Sequence, residues 1–216
     1  MALENSLFNL TNIITYAVGV LTTVIGVFAG YILSAHSNKK KLDKYEKLFF
    51  HELSEIKSAY SSWLRQLFKE FADPNVDSIN YPPKIDFDFI KSIQLVLSEN
   101  VNIDQRKLFR WLVLSNQLLT NNFKYREQYS RKIAESKLTH LDPFYSSIII
   151  IELALAINVL DKSIKKKSFV KISESVDRIE VLKYACEASN IEFFGKFCQD
   201  ILKHSQDDSF QINRIN

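Results

Sequence analysis

Apolar and polar residues alternate at two scales along the chain. From Asn5 to Ala35 no side chain is charged, and the densest apolar stretch, Ile13 to Leu33, has 21 residues. As a helix at 1.5 Å per residue it is about 31 Å long, which matches a bilayer hydrocarbon core of about 30 Å. Beyond it the pattern becomes amphipathic. Leu42, Tyr45, Phe49, Leu53, Ile56, Tyr60, Trp63, Leu67 and Phe71 recur at steps of three and four, with neither glycine nor proline between Tyr31 and Asp73. That spacing predicts one long helical stripe, either continuous with the apolar stretch or broken at Ser37-Asn38.

Asp73-Pro74 ends this helix, and the segment through Pro82-Pro83 reads as a loop. A short helix is predicted near Phe87 to Leu97. The next opens on a capping box at Asn102 and Gln105 and runs to about Ser136, with Leu108, Trp111, Leu112, Ser115, Leu118, Leu119 and Phe123 facing inward. Asp142-Pro143 pairs an N-cap carboxylate with a proline at the first helical position. The helix behind it is apolar nearly all round. Its stretch Phe144 to Leu160 is read as a buried core helix, because it is shorter than a span and contains Glu152, which is costly in lipid. Two last helices, near Ser175 to Ala188 and Ile191 to His204, turn Val176, Ile179, Leu182, Phe194, Phe197 and Ile201 inward. No alternating strand pattern occurs, and Ser168 to Ile172 is the only extended candidate. The expected architecture is all-α: residues 1–36 as tail and transmembrane helix, 37–204 as a cytosolic helical bundle, and 205–216 as a polar tail.

The flanks of the first span set its expected orientation. Lys39, Lys40, Lys41, Lys44 and Lys47 follow it and no Lys or Arg precedes it, which places the N-terminus in the periplasm and the helical domain in the cytoplasm of a bacterial inner membrane. A cleaved signal peptide would need a basic n-region and a shorter apolar core. Within the span Gly19, Gly26 and Gly30 share a face with Thr22, Thr23 and Ser34, the small-residue pattern that lets two helix backbones approach. Self-association and the general frequency of glycine in membrane helices both account for it.

Composition narrows the chemistry. Hydrophobic residues make up 46% and charged residues 25%, ordinary for a folded domain, and 28 basic residues against 25 acidic ones leave a formal charge of +3. That balance argues against duplex DNA as a partner. Cys186 and Cys198 fit reduced, packed thiols. Only one glycine, Gly195, lies outside the span, which excludes a glycine-rich phosphate loop. His36, His51, His140 and His204 have no metal-ligand spacing, and no nucleophile elbow occurs. No catalytic residue, metal site or cofactor is therefore expected. One stretch stands out: Phe123 to Lys132 interleaves Lys124, Arg126, Arg131 and Lys132 with Tyr125 and Tyr129. Cations beside rings that stack on bases suit a single-stranded or cyclic nucleotide, and Arg106, Lys107 and Arg110 earlier on the same helical segment extend it toward a basic groove. A solvated face whose tyrosines pack on neighbours is the competing reading.

The layout of Ile13 to Leu33 followed by a compact helical domain resembles the small bacterial membrane-anchored effectors of antiphage defence. These include effectors that accompany type III CRISPR systems and are switched on by cyclic oligoadenylate. The resemblance covers the arrangement of the chain and carries over no residue motif. It implies a non-enzymatic homo-oligomer in which a nucleotide bound to the cytosolic domain leads the membrane helices to perturb the bilayer. The alternative is a passive membrane tether that docks a partner protein through the aromatic stripe from Leu42 to Phe71.

Overall fold

The computed structural model describes residues 2–73, 80–97, 103–135, 143–172 and 176–206, with the side chains of α1 described from residue 26 onward. Six helices follow one another: α1 (Ala2–Ala72), α2 (Phe87–Leu97), α3 (Ile103–Glu135), α4 (Pro143–Lys166), α5 (Arg178–Ala188) and α6 (Gly195–Ser205). No strand occurs among the described residues, Ser168 to Ile172 included, so the fold is all-α. The proposed caps at Asn102 and Asp142, and the tail from 207, lie outside the described residues.

The chain divides into two units, Met1–Lys47 and Leu48–Asn216. Helix α1 contributes to both and is unbroken at Ser37-Asn38. In the first unit, Val27, Phe28, Tyr31, Ile32 and Leu33 are exposed, as are Lys39, Lys40, Lys41, Lys44 and Lys47. A Cβ added at Gly26 or Gly30 would meet no atom within 4 Å, so this part of the small-residue face is open. Gly19 lies outside the residues whose side chains are described.

The second unit is organised around α4. Among the described residues, which leave out the α1 side chains before residue 26, α4 is the one helix long and apolar enough to cross a membrane, yet 72% of its apolar window is buried inside the protein. Helices α3, α5 and α6 pack against it, and α1 is tied to it by the Lys57–Asp161 salt bridge at 2.9 Å. The stripe on α1 is core: Phe49, Leu53, Ile56, Tyr60, Trp63 and Leu67 are all buried. This removes the docking surface assigned to the tether alternative, because Tyr60 and Trp63 face the protein's own interior. The Tyr60 hydroxyl donates to Asn116 Oδ1 at 3.0 Å, and burial raises its pKa. Three positions expected to face inward are instead exposed: Leu118 on α3, Val176 ahead of α5 and Phe194 at the N-cap of α6.

Two acidic residues hold the layers together. Glu70 ends the buried stripe of α1 and pairs inside the protein with Arg126 of α3, both side chains almost wholly buried. Its second oxygen accepts from the backbone and side-chain nitrogens of Asn80 at 3.1 and 3.0 Å. Asn80 in turn accepts from Trp63 Nε1 at 3.3 Å, which fixes the chain entering α2 against the end of α1. Asp161, buried on α4, accepts from Lys57, from Lys165 at 2.7 Å and from the Tyr184 hydroxyl at 2.7 Å. Burial alone would push its carboxyl up, but the bonds from Lys165, Tyr184 and Lys57 outweigh it and hold the pKa at about 2.

Removing one member of a buried ion pair strands its partner, so Arg126→Met in the full chain should cost about 3 to 5 kcal/mol in chemical denaturation, and Glu70→Leu with Arg126→Met should recover much of the loss. Additive losses in the double variant would contradict this. For Asp161 the depressed pKa makes its stabilisation complete above the unfolded value near about 4 and lost as pH falls toward 2. Asp161→Asn should accordingly lower Tm at pH 7 and flatten the acid limb of a Tm-against-pH profile; an unchanged acid limb would show that the limb comes from other groups.

Candidate functional site

The basic and aromatic positions expected to form a nucleotide surface on α3 do not converge. Lys124 and Tyr125 are exposed, Tyr125 at 58%. Arg131 is exposed and engages Glu127 one turn back at 2.8 Å. Tyr129 is half-buried, with its ring 5.7 Å from that of Tyr145. The side chain of Lys132 lies outside the described residues. Arg126 requires a correction: it is internal, 1% exposed, paired with Glu70 and set 5.9 Å over the Phe123 ring, so it cannot hold a phosphate at the surface. The reason is helical phase. Leu112, Leu119, Phe123, Arg126 and Ser130 fall at steps of seven, four, three and four, one buried line along α3. Arg106 is exposed on the first turns of the same helix.

Arg110 does enter a cavity, a groove of about 780 Å³ between α3, α4, the 169–172 segment and α5. Helix α4 supplies its floor through Ile151, Glu152, Leu155 and Val159. From α3 come Lys107, Arg110, Trp111 and Leu118, with Leu114 64% exposed at the edge. Phe169, Lys171 and Ile172 of the segment after α4, with Val176, Arg178 and Val181, complete the lining. The size is that of a small-molecule site, and the lining has the usual form of apolar walls with a few polar groups.

Local backbone chemistry places these side chains. At the end of α4, Lys167 adopts a left-handed φ of 50°, and Ser168 N donates to Ser163 O while Lys167 N donates to Ile164 O. This paired closure reverses the chain. Ser163 Oγ then accepts from Val170 N at 3.0 Å, which holds Phe169 against Trp111 with ring centroids 6.4 Å apart. Asp177 caps α5 by accepting from Ile179 N at 3.0 Å and thereby sets Arg178 in the first turn.

Among the described residues that line the groove, Lys107, Arg110, Lys171 and Arg178 are the cations and Glu152 is the one carboxylate. Lys107 also leans on Asp104 at 3.8 Å. Glu152 is half-buried and has neither a hydrogen bond nor a salt bridge among the described residues. Burial pushes its carboxyl above the usual carboxylate range, and the charge of Arg178 only partly opposes that. The sequence pattern points to Lys107 and Arg110 here, but not to Trp111, Glu152, Phe169, Lys171 and Arg178 as site residues. The one available signal was the lone acid in an apolar run. No group of histidine, cysteine or acidic side chains suited to a metal occurs among the described residues. Comparison with protein-family models, with curated proteins and with solved structures finds no match to this chain.

An acid whose pKa is raised on folding stabilises the fold only while protonated, so stability falls as pH rises through the unfolded value near about 4.3. Glu152→Gln should therefore raise Tm at pH 7, with the gain disappearing near pH 4. A Tm at pH 7 equal to or below the parent's would show that the carboxylate is compensated.

Proposed function

We propose that this chain is a non-enzymatic, membrane-anchored effector of bacterial antiphage defence whose helical domain takes an anionic nucleotide in the groove between α3, α4 and α5. The observation that carries the reading is the composition of that groove. Two aromatic rings, Trp111 and Phe169, lie beside an apolar floor, and Lys107, Arg110, Lys171 and Arg178 surround it. Rings that stack on bases beside cations that hold phosphates are what a nucleotide requires. Cyclic oligoadenylate is the member of that class implied by the layout of the chain.

The anchor is the apolar part of α1 from Ile13 to Leu33, in the inner membrane with its N-terminus periplasmic and the helical domain cytoplasmic. The exposure of Val27, Phe28 and Tyr31 supports it, since large apolar side chains at 69%, 65% and 72% exposure are costly in water and favourable in lipid. Assembly through Gly19, Gly26 and Gly30 then brings copies together in the bilayer, which their oligomer perturbs when ligand binds. The open space at Gly26 and Gly30 fits such an approach.

Calorimetric titration of the full chain in detergent with cyclic tetra-adenylate should give saturable binding in the micromolar range or tighter. Lys107→Ala with Arg110→Ala should weaken it by at least about tenfold, since a hydrogen bond to a charged group contributes about 1.5 to 3 kcal/mol. Lys124→Ala with Arg131→Ala should leave it unchanged. Absence of heat at tens of micromolar, or an effect of the second pair without the first, would remove the ligand or the groove from this account.

A further inference from the structure

We infer that Glu152 is a specificity-determining residue of the groove, accepting a hydrogen bond from the exocyclic amino group of a purine nucleotide seated between α3 and α4. The inference rests on the nucleotide reading of the groove and adds the base. Its starting point is a contrast on α4. That helix carries two acidic side chains, and Asp161 has three donors within 2.9 Å. Glu152 has none among the described residues, although it is half-buried among Ile151, Leu155 and Val159. A half-buried carboxylate that lines a groove with no donor of its own among the described residues still has acceptor capacity for a group that arrives with the ligand.

The chemistry of that partner is restricted from both sides. An ionised carboxylate only accepts, so the ligand must present N–H or O–H at this point. The cations at the edge, Arg110 and Arg178 among them, require the same ligand to be anionic elsewhere, which excludes a simple amine. Trp111 and Phe169 favour a flat ring over a sugar or an alkyl chain, and a bicyclic ring covers more of the apolar floor than a single one. A ring with an amino group at one end and a phosphate at the other meets all three conditions. In this arrangement the phosphate stays with the cations and the amino edge faces Glu152, so like charges are kept apart.

The test uses the full chain in detergent and two probes that differ only in the amino group, adenosine 5′-monophosphate and purine riboside 5′-monophosphate. The parent protein should prefer the amino-bearing probe by about tenfold or more, because a site built to hydrogen-bond a polar group discriminates strongly against the analogue lacking it. Glu152→Leu should bind both probes alike, while Glu152→Gln, whose amide oxygen still accepts, should keep part of the preference. Equal binding by the parent, or a preference that persists in Glu152→Leu, overturns the role of Glu152 and leaves the nucleotide groove standing. A groove that takes cyclic tetra-adenylate but neither monophosphate also overturns it, since one ring against Glu152 is then not the recognised unit. Failure of all three probes removes the nucleotide reading itself.

Discussion

Helix α4 constrains everything in the domain from Leu48 onward. A helix with Ile148 to Ile151, Leu153, Ala154, Ala156, Ile157, Val159 and Leu160 on successive faces is apolar nearly all round, so most of it must be covered. Helices α1, α3, α5 and α6 are arranged to provide that cover. The apolar stripes on α1 and α3 are the complement of this demand. Their long runs without proline follow from it, because a kink would open part of α4 to water. A groove remains where α3, α4, α5 and the 169–172 segment meet, lined on α4 by Ile151, Glu152, Leu155 and Val159. The groove is thus the residual of a packing problem, and the residue placed at its floor is charged.

The buried acids of the domain separate into two kinds by what surrounds them. Glu70 and Asp161 each pair with a cation and accept further bonds, and each joins segments distant in sequence: α1 to α3 and to Asn80, or α4 to α1 and α5. Such groups specify which helices meet, and their cost in desolvation is offset by bonds that any displaced packing would lose. Glu152 makes no hydrogen bond or salt bridge among the described residues. Arg178, in the first turn of α5, acts on it through charge. That difference distinguishes a structural acid from one available to a ligand, and it rests on partners and burial together.

Helix boundaries were legible because they depend on local chemistry. Phe87 to Leu97 was bounded by Pro82-Pro83 and an apolar run, and Pro143 opens α4 as its position after Asp142 implied. The helices α5 and α6 begin a few residues later than their periodicity suggested, since Asp177 and Phe194 act as the caps. The role of Arg126 was misread because its neighbours Lys124, Tyr125 and Arg131 suggested one surface. Phase alone would have corrected it, for Arg126 lies three residues past Phe123, and Glu70 three past Leu67, each continuing a buried stripe. A charge of each sign at the end of two facing stripes is a readable sign of an internal pair. The groove was not readable in this way. Its cations come from α3, the turn after α4 and α5, and nothing in the sequence says that Lys107 and Arg178 share a cavity.

The distribution of bonds also determines which part of the groove can respond to a ligand. A ligand shifts a conformational equilibrium only by its differential affinity for the two states, so the responsive element is the one least expensive to move. Helix α3 is a poor choice. Ser115 lines the groove, but its neighbour Asn116 accepts from Tyr60 of the buried α1 stripe, and further along Arg126 is locked to Glu70. Displacing α3 would break both and expose apolar floor. The 169–172 segment is held to the end of α4 by the Ser168 N to Ser163 O and Val170 N to Ser163 Oγ bonds and by the Phe169 contact with Trp111. Moving it leaves the cores of α1, α3 and α4 intact. On the proposed reading, ring stacking on Phe169 and a phosphate on Lys171 would act on this same segment, whereas α3 is held by the Tyr60 and Glu70 bonds.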